Sequence, residues 1–153
     1  MSANLNVVRA SSREAAVVWA ETDPCASCGG YASADVFQWV KLDSEGHNLP
    51  RGSSAVYLIY ARDKPAAAGL RADTRDAHLD WLAASGRVHM AGPLLDADGE
   101  AVGSLLAVSG EGLADVEAWA AADPYAAAGV FGETVVALAP EMATMDSLPL
   151  YAW

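Results

Sequence analysis

The chain has 153 residues, 53% of them hydrophobic, which suits one domain with a sizeable core and room for a small extension. Nine Lys and Arg against 20 Asp and Glu give a formal net charge of −11, which repels phosphate backbones and argues against nucleic acid as a partner. No apolar run approaches the ~20 residues needed to span a bilayer, and the start of the chain lacks the pattern of a secretory signal, so no membrane partner and a cytoplasmic location are expected.

Residues 1–54 read as an N-terminal extension and linker. Residues 15–20 (AAVVWA) are rich in β-branched and aromatic side chains and read as a short strand, and residues 36–42 (VFQWVKL) as a second. Asp23-Pro24 and Cys28-Gly29-Gly30 are turn signals between them, so the expectation is a hairpin with the CASC run at its tip, or else a poorly ordered appendage. Residues 43–54 (DSEGHNLPRGSS) read as a linker.

Cys25 and Cys28 form a lone CxxC. A structural zinc site needs about four ligands, and His47 is the only other nearby candidate. A thioredoxin-like motif opens a helix after a strand, whereas here two glycines follow at once. Two ordinary loop cysteines are the favoured reading, and no metal is expected.

Residues 55–153 read as one α+β unit with a tail. Residues 55–61 (AVYLIYA) are the first strand, ended by Arg62-Asp63-Lys64-Pro65. A helix over 66–85 follows, with Gly86 as its C-cap. Residues 87–95 are a second strand broken by Gly92-Pro93, 96–99 (DADG) a hairpin turn, and 103–109 a third strand. Residues 113–122 form a second helix with a buried stripe of Leu113, Val116, Trp119 and Ala120, closed by Pro124. Residues 133–139 are the fourth strand.

This order is β-α-β-β-α-β, the ferredoxin-like split βαβ pattern: a four-stranded antiparallel sheet with two helices on one face. The other face, carrying Tyr57 and Ile59 or their alternates, then needs a cover. A second copy related by two-fold symmetry is the expected one, making a homodimer. The tail, residues 140–153, ends in Leu148, Leu150, Tyr151 and Trp153. These could lie across the second subunit or close a pocket, or the tail could simply fray.

Two positions carry the functional signal. On the first helix Asp73, Asp76 and Asp80 fall on one face, and Leu70, His78, Leu79, Trp81 and Leu82 on the other. Arg71, Arg75 and His78 lie at i, i+4 and i+7, so a basic stripe runs through the apolar face and points to a pocket. The bland alternative is a structural histidine beside snorkelling arginine stems. Asp123 falls on the inner side of the second helix, at its C-terminus, where the helix dipole disfavours a carboxylate by roughly 0.3–1 kcal/mol. It therefore needs a partner, and His78 is a candidate; the alternative is an Asp-Pro residue that caps the next segment.

The series YLIYARDKP, R-x3-R-x2-H-L, AGPLLD, GSLL and WAAADPYAAAGVF resembles the YCII-related (YciI-like) domain family over about residues 55–139. The resemblance implies a dimeric α+β barrel with an active site built on an invariant His and Asp, here His78 and Asp123. It places Arg71, Arg75, Gly92, Pro93, Ser104 and Tyr125 around that pair as substrate-binding positions. One family relative in chloroaromatic degradation is a dehydrochlorinase, and the wider superfamily includes lactone isomerases and monooxygenases.

A carboxylate beside an imidazole orients the ring, and a histidine can take a proton in one step and return it in the next. Arg71 and Arg75 could hold a carboxylate or enolate. Neither a GxSxG nucleophile motif nor a phosphate- or dinucleotide-binding glycine pattern is present, so no cofactor is expected. His89 reads as an ordinary strand residue. The leading expectation is a small lyase or isomerase acting on a small anionic molecule. The alternative is a non-catalytic ligand-binding or interaction module of the same fold.

Overall fold

In the middle of the strand β2 (Ala55–Asp63) alternate residues are buried: Tyr57, Ile59 and Ala61 turn one way, as the period of two requires. The computed structural model describes residues 5–42 and 55–139. Within it β2 pairs antiparallel with β4 (Ala101–Gly110) on one side and with β5 (Phe131–Leu138) on the other. β3 (Val88–Leu95) forms a hairpin with β4. At its tip Asp96 Oδ1 accepts the backbone N–H groups of Asp98 and Glu100, and Gly99 takes φ +83°.

The connections are made by α3 (Ala68–Ser85), and by α4 (Leu113–Ala121) followed by the short α5 (Pro124–Ala128). Gly86 ends α3 in the left-handed conformation, φ +64°. The four strands lie in the order β3-β4-β2-β5, which is the ferredoxin-like arrangement. The fold is α+β, as expected.

Helices and sheet meet in a core that includes Tyr57, Ile59, Leu82, Val108, Val116 and Ala120. The Trp81 and Trp119 rings stack at 4.2 Å and join α3 to α4. Leu70 and Leu113, expected to be inward, are exposed. Each sits in the first turn of its helix, beyond the reach of the core.

Among the described residues the sheet has five strands rather than four. β1 (Gln38–Trp39) pairs antiparallel with β3, Gln38 opposite Leu95 and Trp39 opposite Leu94. Nor is β3 broken at Gly92-Pro93: Pro93 stays paired opposite Ser104. Its carbonyl accepts the Val40 N–H at 3.2 Å. In an antiparallel ladder a residue's N and O point to the same side. The proline nitrogen therefore faces β1, and its missing N–H costs the β4 ladder nothing.

The front of the chain is not a hairpin. Residues 15–20 lie in a helix, α1 (Arg13–Glu21), and the cysteine run forms a single helical turn, α2 (Pro24–Ser27). Ser12 caps α1 by accepting the Ala15 N–H at 3.2 Å, and Glu14 sits in the first turn. These end signals outweigh the β preference of Val17, Val18 and Trp19. Asp23 caps α2 in the same way, with Pro24 at its first position.

The front also covers part of the sheet face away from the helices, where Trp39, Val56 and Leu58 pack on Met90 and Ala107. Arg13 donates to the Val36 carbonyl at 3.1 Å, and the Arg62 guanidinium lies 4.5 Å over the Phe37 ring. The expected linker with His47 and the apolar tail lie outside the described residues. Among the described residues no helix is long and apolar enough to cross a membrane.

Candidate active site

Arg71, Arg75 and His78 of α3 share one stripe, and they meet different fates. His78 is 6% exposed and Arg71 is buried, whereas the Arg75 side chain is 58% exposed. The three aspartates of the opposite face are all exposed.

Asp123 is placed by Pro124. The proline pushes it to φ −55°, ψ 130°, which ends α4 and makes Asp123 the N-cap of α5. Its Oδ1 accepts the Tyr125 N–H at 2.8 Å and, on the same oxygen, the His78 Nδ1–H at 2.8 Å. Both groups of this pair are buried, Asp123 to 4% exposure. The two alternatives open at the sequence level, a cap and a partner for His78, are thus one carboxylate doing both. A carboxylate that accepts this bond fixes the imidazole proton on Nδ1 and leaves Nε2 as the ring's other nitrogen.

Tyr125 stacks on His78 with ring centroids 4.0 Å apart and planes 21° from parallel. The Arg71 guanidinium lies 4.6 Å from the Tyr125 ring centroid. Burial pushes the Tyr125 phenol above its ordinary range, against the pull of the arginine charges.

The Arg71 guanidinium is bound to the protein through both of its terminal nitrogens. One terminal nitrogen donates to both carboxylate oxygens of Asp63, at 2.9 and 3.0 Å. The other donates to the Gly103 carbonyl at 3.1 Å and to Ser104 Oγ at 2.8 Å. Both terminal nitrogens are therefore engaged, and Arg71 ties α3 to β2 and β4 instead of offering a fork to an anion. Burial pushes the Asp63 carboxyl up by more than Arg71 pulls it down. Ser104 accepts from Arg71 and keeps its own hydroxyl hydrogen to give.

A cavity of about 260 Å³ opens beside these groups. His78, Arg75, Tyr125 and Ser104 line it, as do Gly92 and Pro93 of β3, Arg71 and Glu100. Asp123 does not line it; it holds His78 from behind. Arg75 has Asp76 at a loose 3.9 Å, and its mostly exposed side chain is the arginine of the stripe left to meet an anion. An apolar cavity of about 150 Å³ already accepts benzene, so this one suits a molecule built on a single ring.

The model of the YCII-related domain matches residues 55–139. The chain belongs to the YCII-related domain family. Protein YciI from Escherichia coli O6:H1 and from Shigella flexneri are each 41% identical to it over 85 residues, which is 50% of this chain and 87% of theirs. Among solved structures it is similar to 5-chloro-2-hydroxyhydroquinone dehydrochlorinase (TftG) from Burkholderia phenoliruptrix AC1100, in complex with 2,5-dihydroxybenzoquinone. The TM-score is 0.50 and the identity 32%, covering 54% of this chain and 90% of that one.

Set against this YCII-related domain, the other candidates separate cleanly. His89 is hydrogen-bonded to Ser109, 2.6 Å from Nε2 to Oγ, and does not line the cavity. Cys25 and Cys28 are exposed, unpaired thiols, and Cys28 Sγ–H donates to the Cys25 carbonyl at 3.4 Å. No three His, Cys, Asp or Glu side chains among the described residues converge as metal ligands.

The sequence carries no functional signal for Asp63, or for several lining residues, Glu100 and Leu42 among them. Asp63 was legible only as a strand-ending polar residue. Leu42 lines the cavity from outside the family match, and nothing in its local sequence marks it.

Proposed function

We propose that this protein is a small enzyme of lyase or isomerase type, working without a cofactor on a small, anionic, single-ring molecule. The observation that carries the reading is the buried imidazole–carboxylate pair at the wall of a ring-sized cavity, with Arg75 on the solvent side. In this reading Nε2 of His78 takes a proton from a carbon or hydroxyl next to a carbonyl. The released electron pair then expels a leaving group, or the proton is returned to another atom of the same ring. Asp123 is a positioning residue, because it acts through the imidazole. Arg75 holds the anionic oxygen, and Ser104 donates to a second one. The TftG complex supports this substrate class, since that relative is a dehydrochlorinase holding a dihydroxyquinone. A homodimer formed over the sheet face away from the helices belongs to the same reading.

Chloride release from 5-chloro-2-hydroxyhydroquinone is the first assay. Turnover of any cyclic anion that raises the melting temperature of the purified protein is the second. His78→Ala should lower kcat by about 10²–10⁴-fold, the usual size of a lost acid–base group. Asp123→Asn, which keeps the cap on α5, should lower it by less while leaving KM nearly unchanged. Wild-type turnover in both variants would sink the reading. A ligand that binds and is never turned over would favour the non-catalytic module instead.

A further inference from the structure

The YCII-related domain begins at residue 55, yet its cavity is walled in part by Leu42. We infer that residues 38–42 are the ligand-selecting wall of this site, with Leu42 as the apolar surface against which the uncharged edge of a ring rests. This rests on the reading of the cavity as a site for a small anionic ring.

Consecutive residues of β3 hold the wall in register. The Ala91 carbonyl accepts the Leu42 N–H at 2.8 Å, and the Pro93 carbonyl accepts the Val40 N–H at 3.2 Å. Between them the Gly92 carbonyl accepts the Trp39 indole N–H at 3.2 Å. A slip of one residue would turn Leu42 to the opposite face, so three bonds on 91, 92 and 93 specify which side chain enters the cavity.

Gly92 permits the approach. A Cβ there would stand 1.9 Å from the Val40 carbonyl oxygen, so only a residue without a side chain lets this strand dock. Leu42 then sits beside Ala91, which also lines the cavity. Ala72 and Leu79 of α3 add apolar surface, while His78, Arg75, Ser104 and Tyr125 are among the polar residues of the lining, which also includes the carboxylate of Glu100. The cavity thus has a charged aspect supplied by the family domain and an apolar wall completed by a segment outside it. Such an arrangement assigns recognition of the anion to one and choice among ring substituents to the other.

The test uses the full chain and three probes: benzoate, 4-methylbenzoate and 4-ethylbenzoate, with affinities read by calorimetry. Leu42→Ala should weaken benzoate by about tenfold and shift the preference toward 4-ethylbenzoate, since each buried methylene is worth about fourfold in affinity. Leu42→Phe should do the reverse, keeping benzoate and excluding 4-ethylbenzoate by at least tenfold. Protection of the residue-42 amide from hydrogen exchange shows whether the strand stays docked in each variant. Arg75→Gln should weaken all three acids by a similar factor without changing their order. If both Leu42 variants keep the wild-type affinities and order while Arg75→Gln weakens binding, the wall is refuted and the anion site stands. If wild-type protein binds none of the three, the anion site falls and the wall falls with it.

Discussion

Residues 55–139 and residues 5–42 are held together by different kinds of contact. In the first, buried charge is matched by buried charge: Arg71 spans Asp63, Gly103 and Ser104, and His78 meets Asp123. In the second, attachment rests on a two-residue ladder, two further backbone bonds, the indole bond and packing of Trp39, and ion and ring contacts at the surface, such as Arg62 with Asp35 at 3.5 Å. The difference teaches that the charged apparatus of the site is welded into the domain, whereas the front is docked onto it through one permissive strand. Local opening of the front should therefore be far easier than unfolding of the domain.

Breaking the weld should have the largest effect. Arg71→Leu strands the Asp63 carboxylate in a buried site and should cost about 3–5 kcal/mol of stability, read from the urea midpoint. Replacing both residues, Arg71→Leu with Asp63→Leu, should recover much of that loss, because the uncompensated charge is then gone. An unchanged midpoint for the single variant would mean that the network does not hold α3 to the sheet.

A smaller effect is expected at the docking strand. Gly92→Val forces a backbone clash with Val40 and should cost roughly 1–3 kcal/mol, the usual range for overpacking. The loss should be local. The amides of Val40 and Leu42 should lose protection from hydrogen exchange, while those of Ile59 and Val108 keep it. Equal loss at all four would show that front and domain open as one unit, and would erase the contrast between them.

That contrast also explains how much the sequence revealed. In the domain the signals were redundant. The β-branched and aromatic content of AVYLIYA, the DADG turn, Gly86 as a stop and Pro124 after Asp123 each point to the element that forms. The stripe of Arg71, Arg75 and His78 gave the cavity's helix, but not the fact that both terminal nitrogens of Arg71 are bound to the protein. Its partners Asp63 and Ser104 are 8 and 33 positions away, and only folding brings them together.

In the front the signals conflicted. The side chains of AAVVWA favour a strand, whereas Ser12 and Glu14 start a helix, and the caps won. Leu42 closes the strand-like run VFQWVKL, but nothing in that run places it at the cavity, because its position comes from pairing with a strand some fifty residues later. Asp123 is the instructive middle case. Its oddness at a helix end was readable, but the choice between cap and partner was not, since the oxygen serves both.

The central claim is that Asp123 orients His78 so that Nδ1 carries the proton toward the carboxylate and Nε2 is the nitrogen presented for proton transfer. Long-range proton–nitrogen NMR on the imidazole, with the ring in its neutral form, tests this directly. The account predicts the Nδ1–H form in the wild type and a mixture of both forms in Asp123→Ala. A neutral His78 with its proton on Nε2 in the wild type would contradict it.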